Sequence, residues 1–516
     1  MRQEELKKSL GTHARGRIAT GWRAFFFACL AACSSSATPE LESLPQNATV
    51  KVEPSQILSN QDGSQSAYSG VVRVQAAMVC SGFLVGPMSN PEAPAYVITS
   101  GHCVQDWDQL ASSLNFQRNR PSTGAWTVSF RQFRDTPEAL LQVPIAHVRF
   151  STMRTMDLAV LELGTTLKAL IDLGIQPLPL TLEAPPLGSP LRIVGIPEEG
   201  LAPTERYLRL HSCPLEEARD VIEGIWYWFQ LHSNRCEGIR GGSSGSPLLG
   251  RDQAAFAITS TSTRGSLGLP CMLGHPCEVR DKAVYDAANT NYAMPLSPLI
   301  GCWNKKGIWQ ASLPSCSLRS DPTVTISSRL NHPIRTLAQN EWPLSVTGNE
   351  PFRRLKGRAG LVNCRDRAAY SAPLSRAKLK LEQEKLPQEE GVYLYCLMGS
   401  DGKYPSISIA HVDNTGPTQK PRFQIDEFPD EVSVHLLLDP PELSGFRAAW
   451  ISMTESCAKI RLDAIGGQIL SFRLDELPLK ICLRAVDEAG NEGPLVEQIV
   501  SKRQKKKPKS QAEPRG

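Results

Sequence analysis

A serine hydroxyl, an imidazole and a carboxylate brought to one place can carry out nucleophilic acyl transfer, and three short stretches of this 516-residue chain offer those groups. Ile98-Thr99-Ser100-Gly101-His102-Cys103 supplies a histidine, Met156-Asp157-Leu158-Ala159-Val160-Leu161 an aspartate, and Gly242-Ser243-Ser244-Gly245-Ser246-Pro247 a serine, at separations of 55 and 87 residues. Each stretch alone has a plainer reading. A Gly-rich serine loop can be a simple turn, a histidine beside a cysteine a packed side chain, and Asp157 the cap of a strand, with Asp106, Asp108 and Asp135 as nearby rivals. Ser243 and Ser246 compete with Ser244, although only Ser244 has a glycine two residues before it and another directly after it.

Taken together, the three stretches resemble the chymotrypsin-like, or trypsin-like, serine protease family. The serine loop is similar to that family's Gly-x-Ser-Gly-x-Pro segment, Thr99-Ser100-Gly101-His102-Cys103 to its Thr-Ala-Gly-His-Cys, and Asp157-Leu158-Ala159-Val160-Leu161 to its Asp-Ile-Ala-Leu-Leu strand. Cys80-Ser81-Gly82-Phe83-Leu84-Val85-Gly86 resembles the strand before the histidine, and the chain order of His, Asp, Ser is also the family's. The resemblance covers residues 69–316 and is nearest to the bacterial trypsin-like and glutamyl-endopeptidase-like branch. It implies His102, Asp157 and Ser244 as catalytic residues of a serine endopeptidase. In that chemistry His102 takes the proton of Ser244 and returns it to the leaving amine, while Asp157 holds the imidazole tautomer. The backbone N–H groups of Gly242 and Ser244 are the candidate oxyanion donors, and glycine at 242 suits the angles such a donor needs.

Where digestive members of the family bind a newly released N-terminal ammonium with an Asp just before the nucleophile, this chain has Ser243. Either that activation switch is missing, or the oxyanion turn does not form and the chain is a catalytically inactive protease-fold binding or adhesion protein of the cell surface. The strand Ala257-Ile258-Thr259-Ser260-Thr261-Ser262 is expected to wall the primary pocket and residues 237–241 to form its base. No Asp stands where Lys or Arg specificity would place it, and Thr259 lies near the position of a glutamyl-type His, so neither preference is assigned. Cys271 and Cys277 enclose His275, but two thiols and one imidazole fall short of a structural zinc site. No metal or organic cofactor is expected.

These residues need a scaffold, and the surrounding pattern supplies one: short β-branched and apolar runs broken by Gly, Pro and Asn, such as Val71-Val72-Arg73-Val74, without a long helical period. The expected fold class is all-β, a chymotrypsin-like double β-barrel over 69–316 followed by one or two immunoglobulin/fibronectin-like β-sandwich modules. Those modules are drawn at 323–417 and 421–500 from an internal repeat. Val392 to Asp401 aligns with Leu479 to Asp487 on a Cys-Leu-x-x-x-Asp core, each copy has an upstream cysteine, and a pin across the two sheets of a sandwich is expected. The C-terminal half could also inhibit the protease domain.

Hydrophobic residues make up 41% and charged residues 21%, an ordinary globular balance in a chain long enough for several domains. The net charge of +4 comes from the ends: residues 1–32 carry +4 and 501–516 carry +6, so the body is acidic at −6. A body of that sign has no footprint for nucleic acid, which is set aside as a partner. Arg15, Arg17 and Arg23 precede the short apolar run Ala24 to Ala32, which reads as a signal peptide over 1–32. Leu30-Ala31-Ala32-Cys33 resembles a lipobox, which implies lipidation of Cys33, a membrane partner through the N-terminal lipid anchor, and a bacterial outer-membrane location; the plainer alternative is a secreted chain. Residues 33–68 are read as a flexible tether and 501–516 as a disordered basic tail. Of 14 cysteines, 12 remain for disulfides. Proximity pairs them as Cys80–Cys103, Cys213–Cys236, Cys271–Cys277, Cys302–Cys316, Cys364–Cys396 and Cys457–Cys482, one of several possible connectivities. Protein or peptide is the expected substrate; the oligomeric state stays open.

Overall fold

The computed structural model describes residues 51–501 apart from 87–89, 106–115, 123–124, 266–268, 319–323, 329–333, 336–340, 382–383, 401–404, 438–442 and 466–467. The signal, Cys33, the basic tail and the rival carboxylates Asp106 and Asp108 lie outside the described residues.

After β1 (Glu53–Ile57), the chain forms β2 (Val71–Gln75), β3 (Val79–Leu84), β4 (Pro94–Thr99), β5 (Phe116–Pro121), β6 (Thr127–Phe130), β7 (Leu141–Thr152) and β8 (Leu158–Thr166). Their order is β5-β7-β6-β2-β3-β4-β8, and β7 pairs again with β8, so the sheet closes into a barrel. A second barrel uses β9 (Pro190–Gly195), β10 (Arg209–Glu223), β11 (Trp226–Asn234), β12 (Pro247–Leu249), β13 (Ala255–Ser262) and β16 (Asn291–Pro295), closed by the pairing of β10 with β11. The hairpin of β14 (Cys277–Arg280) and β15 (Ala283–Tyr285) extends from β10.

Strand periodicity explains how the two barrels meet. Successive side chains of a strand point to opposite faces. In β8, Ala159, Leu161 and Leu163 fill the first barrel, whereas Leu158 and Val160 join a cluster with Val194, Val221, Trp228 and Tyr292 of the second. Tyr96 and Ile98 of β4 face that same junction while Ala95 and Val97 face inward. A strand apolar on both faces therefore lies between two cores, and the loops at the junction come together.

The tether expected over 33–68 is corrected in its second half. Residues 53–57 form β1, antiparallel to β10 with Gln56 opposite Leu210, and Leu58 N donates to Leu208 O at 2.9 Å. Leu58 and Tyr68 are buried in the cluster between the barrels. A polar edge strand needs only main-chain bonds and one apolar anchor, which is why Glu53-Pro54-Ser55-Gln56-Ile57 shows no apolar period.

Beyond the barrels, β17 (Val324–Ser328) pairs with β19 (Leu344–Gly348), and β18 (Ile334–Arg335), β22 (Ser406–Val412), β21 (Gly391–Met398) and β20 (Arg353–Arg358) form a second sheet over one core. A further pair of sheets combines β23 (Arg422–Glu427), β24 (Glu431–Leu437) and β27 (Ile469–Arg473) with β26 (Asp463–Ala464), β25 (Leu443–Ile451), β28 (Leu479–Asp487) and β29 (Val496–Val500). All six cysteine pairs stand at bonding distance. The expected pin across each sandwich is corrected: Cys396 and Cys482 lie on strands, but Cys364 and Cys457 lie in connecting segments, so each bridge ties a loop to its sheet.

Candidate active site

The three candidate side chains come from the ends of elements at the junction of the barrels. His102 lies in a 3-10 turn, Gly101–Val104, directly after β4, and its neighbour Cys103 is bonded to Cys80 on β3. Asp157 immediately precedes β8, and Ser244 stands in the turn between β11 and β12.

Asp157 is 0% exposed. His102 donates to it twice, from Nδ1 to Oδ2 at 2.8 Å and from its backbone N to Oδ1 at 2.9 Å, and Ser260 Oγ donates to Oδ2 at 2.7 Å. Burial alone would push this carboxyl up, but the His102 charge and these hydrogen bonds hold it below the usual carboxylate value. For His102 burial pushes the imidazole down, and the charge and hydrogen bond of Asp157 outweigh it, leaving the pKa above its ordinary value. Both shifts favour an imidazolium facing a carboxylate. The rival Asp135 is occupied elsewhere, accepting from the backbone N–H groups of Asn60 and Gln61 at 2.7 and 3.0 Å.

His102 and Ser244 line one cavity of about 490 Å³, together with Thr259, Ser260, Ile239 and Arg240. Among the described residues Ser244 Oγ makes no hydrogen bond to His102. The expected pocket base is placed in part: Ile239, Arg240 and Gly241 line the cavity, while the Glu237 carbonyl turns away to His211 Nδ1 at 2.7 Å.

The turn that carries Ser244 is held from several sides. Ser81 N donates to Ser244 O and Ser81 Oγ to Gly242 O, both at 2.8 Å. Gly241 O accepts from the N–H groups of Glu198 and Glu199, and Gly241 N donates to the Glu199 carboxylate at 2.9 Å. Glu198 in turn pairs with Arg73 and Arg206. Gly242 and Gly245 have φ of +93° and +84°, and a Cβ at Gly245 would meet Ser81 O at 2.2 Å, so both positions require glycine. Ser243 Oγ accepts from Arg240 N at 3.3 Å, a bond internal to the turn at the position where an acidic residue would need an ammonium partner. Among the described residues the N–H groups of Gly242 and Ser244 donate to no other protein group.

Sequence reasoning missed Ser260 as the third donor to Asp157, Ser81 and Glu199 as supports of the turn, and Glu223, Trp226 and Trp228 as cavity walls. Ser81 and Ser260 sit inside motifs already singled out; the others carry no local signal. His102 also lies near the sulfurs of Cys80 and Cys103, but bridged cysteines have no thiolate to offer a metal. Likewise Cys271 and Cys277 are bonded, and His275 Nε2 meets Asp286 at 3.0 Å.

Residues 80–258 match the family described as the trypsin-like peptidase domain. Among solved structures, a mutant of human heparin binding protein is 15% identical, covering 47% of this chain and 91% of its own, with a TM-score of 0.30. A Glu endopeptidase is 13% identical over 48% of this chain and 92% of its own, TM-score 0.33. A scabies mite inactivated protease paralogue is 17% identical over 46% and 93%, TM-score 0.30. No curated protein matches the chain. The stretch that bears His102, Asp157 and Ser244 is thus similar, as a domain, to the trypsin-like peptidases.

Proposed function

We propose that this chain is an exported serine endopeptidase that hydrolyses peptide bonds through an acyl-enzyme, with His102, Asp157 and Ser244 as its triad and the N–H groups of Gly242 and Ser244 as its oxyanion hole. The observation that carries the reading is a buried Asp157 bonded twice to His102 on a cavity that Ser244 shares. Ser244 Oγ attacks the scissile carbonyl carbon as His102 Nε2 takes the hydroxyl proton. The tetrahedral oxyanion is met by these two N–H groups, which bond no other described protein group, each such donor contributing about 3 kcal/mol in comparable sites. Collapse breaks the C–N bond and His102 hands the proton to the departing amine; water then repeats the sequence on the ester. His102 must be neutral to accept that proton, and Asp157 stabilises the charged form that results.

Six disulfides suit maturation in an oxidising compartment. No helix among the described residues is long and apolar enough to cross a membrane. Attachment through a lipid on Cys33 at a bacterial outer membrane belongs to this proposal and rests on the lipobox-like Leu30-Ala31-Ala32-Cys33 alone.

The second reading, a binding protein on an inactive protease fold, is favoured by the unformed hydrogen bond between Ser244 and His102. A fluorophosphonate probe separates the two, because it forms a stable adduct only with an activated serine. The peptidase reading expects labelling that disappears in Ser244→Ala, with peptide turnover falling on the order of 10⁶-fold. A folded wild-type protein that stays unlabelled supports the binding reading.

A further inference from the structure

The cavity holding His102 and Ser244 extends to polar groups that acyl transfer does not use. Glu223 ends β10, is 4% exposed and lines the cavity. Its Oε1 accepts from Gly274 N at 2.7 Å, while Oε2 is buried without a hydrogen-bond partner. Against burial, the Thr261 hydroxyl, the Gly274 N–H and His102 draw its carboxyl down while Asp157 pushes it up, and Arg240 and Arg264 line the same cavity. Beside it stands Trp226, which lines the cavity and whose indole N–H is also buried and unmatched. Its neighbour Trp228 has its own N–H satisfied by Met153 O at 3.0 Å, and the two indoles stack with centroids 6.0 Å apart.

A plain structural role for Glu223 is to tie the β10–β11 turn to the Cys271–Cys277 hairpin, which carries Gly274. That role uses one oxygen. It leaves the other desolvated, and one backbone donor with the nearby Thr261 hydroxyl does not offset a buried carboxylate. Burial accordingly pushes the Glu223 carboxyl above the usual carboxylate value. A cation entering the cavity would reverse that cost, and the flat indole face beside the carboxylate suits an aliphatic stem or a guanidinium plane.

Resting on the peptidase reading, we propose that Glu223 is a specificity-determining residue: its free oxygen receives a basic side chain of the substrate, held at one position relative to the cleaved bond, against Trp226. The Trp226 N–H then donates to a main-chain carbonyl of the same bound segment, so the unmatched acceptor and the unmatched donor are satisfied together. Selectivity of this kind is large because a substrate lacking the cation leaves a buried group unpaired.

The test is a positional-scanning peptide library cleaved by the full wild-type chain, repeated with Glu223→Gln, which keeps an acceptor for Gly274. Enrichment of Lys and Arg at one position is expected in the wild type. In Glu223→Gln the ratio of kcat/KM for basic over matched neutral peptides should fall about 10- to 100-fold, mostly through KM. A wild-type profile with no basic enrichment overturns the inference without reference to any variant, and enrichment that persists in Glu223→Gln overturns it equally. Fluorophosphonate labelling of Ser244 in both proteins keeps the two failures apart. Cleavage with labelling but no basic preference removes only the role of Glu223, whereas a folded wild type with neither labelling nor cleavage removes the peptidase reading and this inference with it.

Discussion

At the scale of single residues, the site is governed by one buried charge. Asp157 holds His102 by two hydrogen bonds and raises the imidazole pKa against the downward pull of burial. Under the proposed mechanism the neutral imidazole is the active form, so kcat/KM rises with pH through the His102 pKa, and a raised pKa places that acidic limb at higher pH. Asp157→Asn removes the charge that raises it, and the limb is expected to move to lower pH. The amide also presents its N–H₂ where an acceptor was needed and favours the wrong tautomer, so kcat should drop about 10⁴-fold. A pH profile of kcat/KM for the variant checks both, and a limb that stays in place contradicts the assignment of Asp157. The triad candidates could be picked out in the chain because the chemistry restricts their neighbours, as the angles of an oxyanion donor do at Gly242, whereas the support that Ser81 gives the turn shows only in the fold. Glu223 and Trp226 were not legible. Nothing local distinguishes a carboxylate at the end of a strand, and its importance arises only when a hairpin some fifty residues later, at Cys271 to Cys277, closes over it.

At the scale of elements, the alternation of β4 and β8 between two apolar clusters was readable as strand, but what each face meets is a property of the assembled barrels. The same holds for β1. Its five residues show no apolar pattern because an edge strand is recognised by the main chain of β10, and the element is anchored by Leu58 in the inter-barrel core. A loose tether and an anchored strand make opposite predictions for that residue. In a tether, Leu58→Ala would leave stability unchanged. In the observed arrangement it empties a buried site and should cost about 2–5 kcal/mol, read as a lower denaturation midpoint at unchanged slope. The loop-to-sheet disulfides follow a similar logic, since cysteine spacing indicates that two positions meet and leaves the element at each position undetermined.

At the scale of the whole molecule, the question is whether the C-terminal half acts on the cleft or merely follows it. Among the described residues the cavity is lined only from Met78 to Gly274. The first module nonetheless packs on the wall of the cleft. Ile222, beside Glu223, and Tyr227 share one apolar cluster with Leu394, Cys396 and Tyr370. Arg365 lies 5.0 Å over the Phe229 ring and 3.7 Å from Asp220, and Arg154, three residues before Asp157, reaches Thr325 Oγ1 at 3.1 Å. The second module has a core of its own around Val434 and Ile481, and meets the first through polar contacts such as Asn491 to Asp413 O at 3.1 Å. Burial of a shared apolar cluster couples unfolding, whereas a polar contact between separate cores does so weakly. Leu394→Ala, at a fully buried position of the shared cluster, should therefore lower the melting of the second barrel and the first module together, by about 2–5 kcal/mol. Val434→Ala should move only the transition of the last module. Calorimetry of the full chain distinguishes these outcomes: a Leu394→Ala protein in which the barrel melts as in wild type while the first module melts earlier would show that the module only abuts the cleft, and that its contacts behind Glu223 do not brace it.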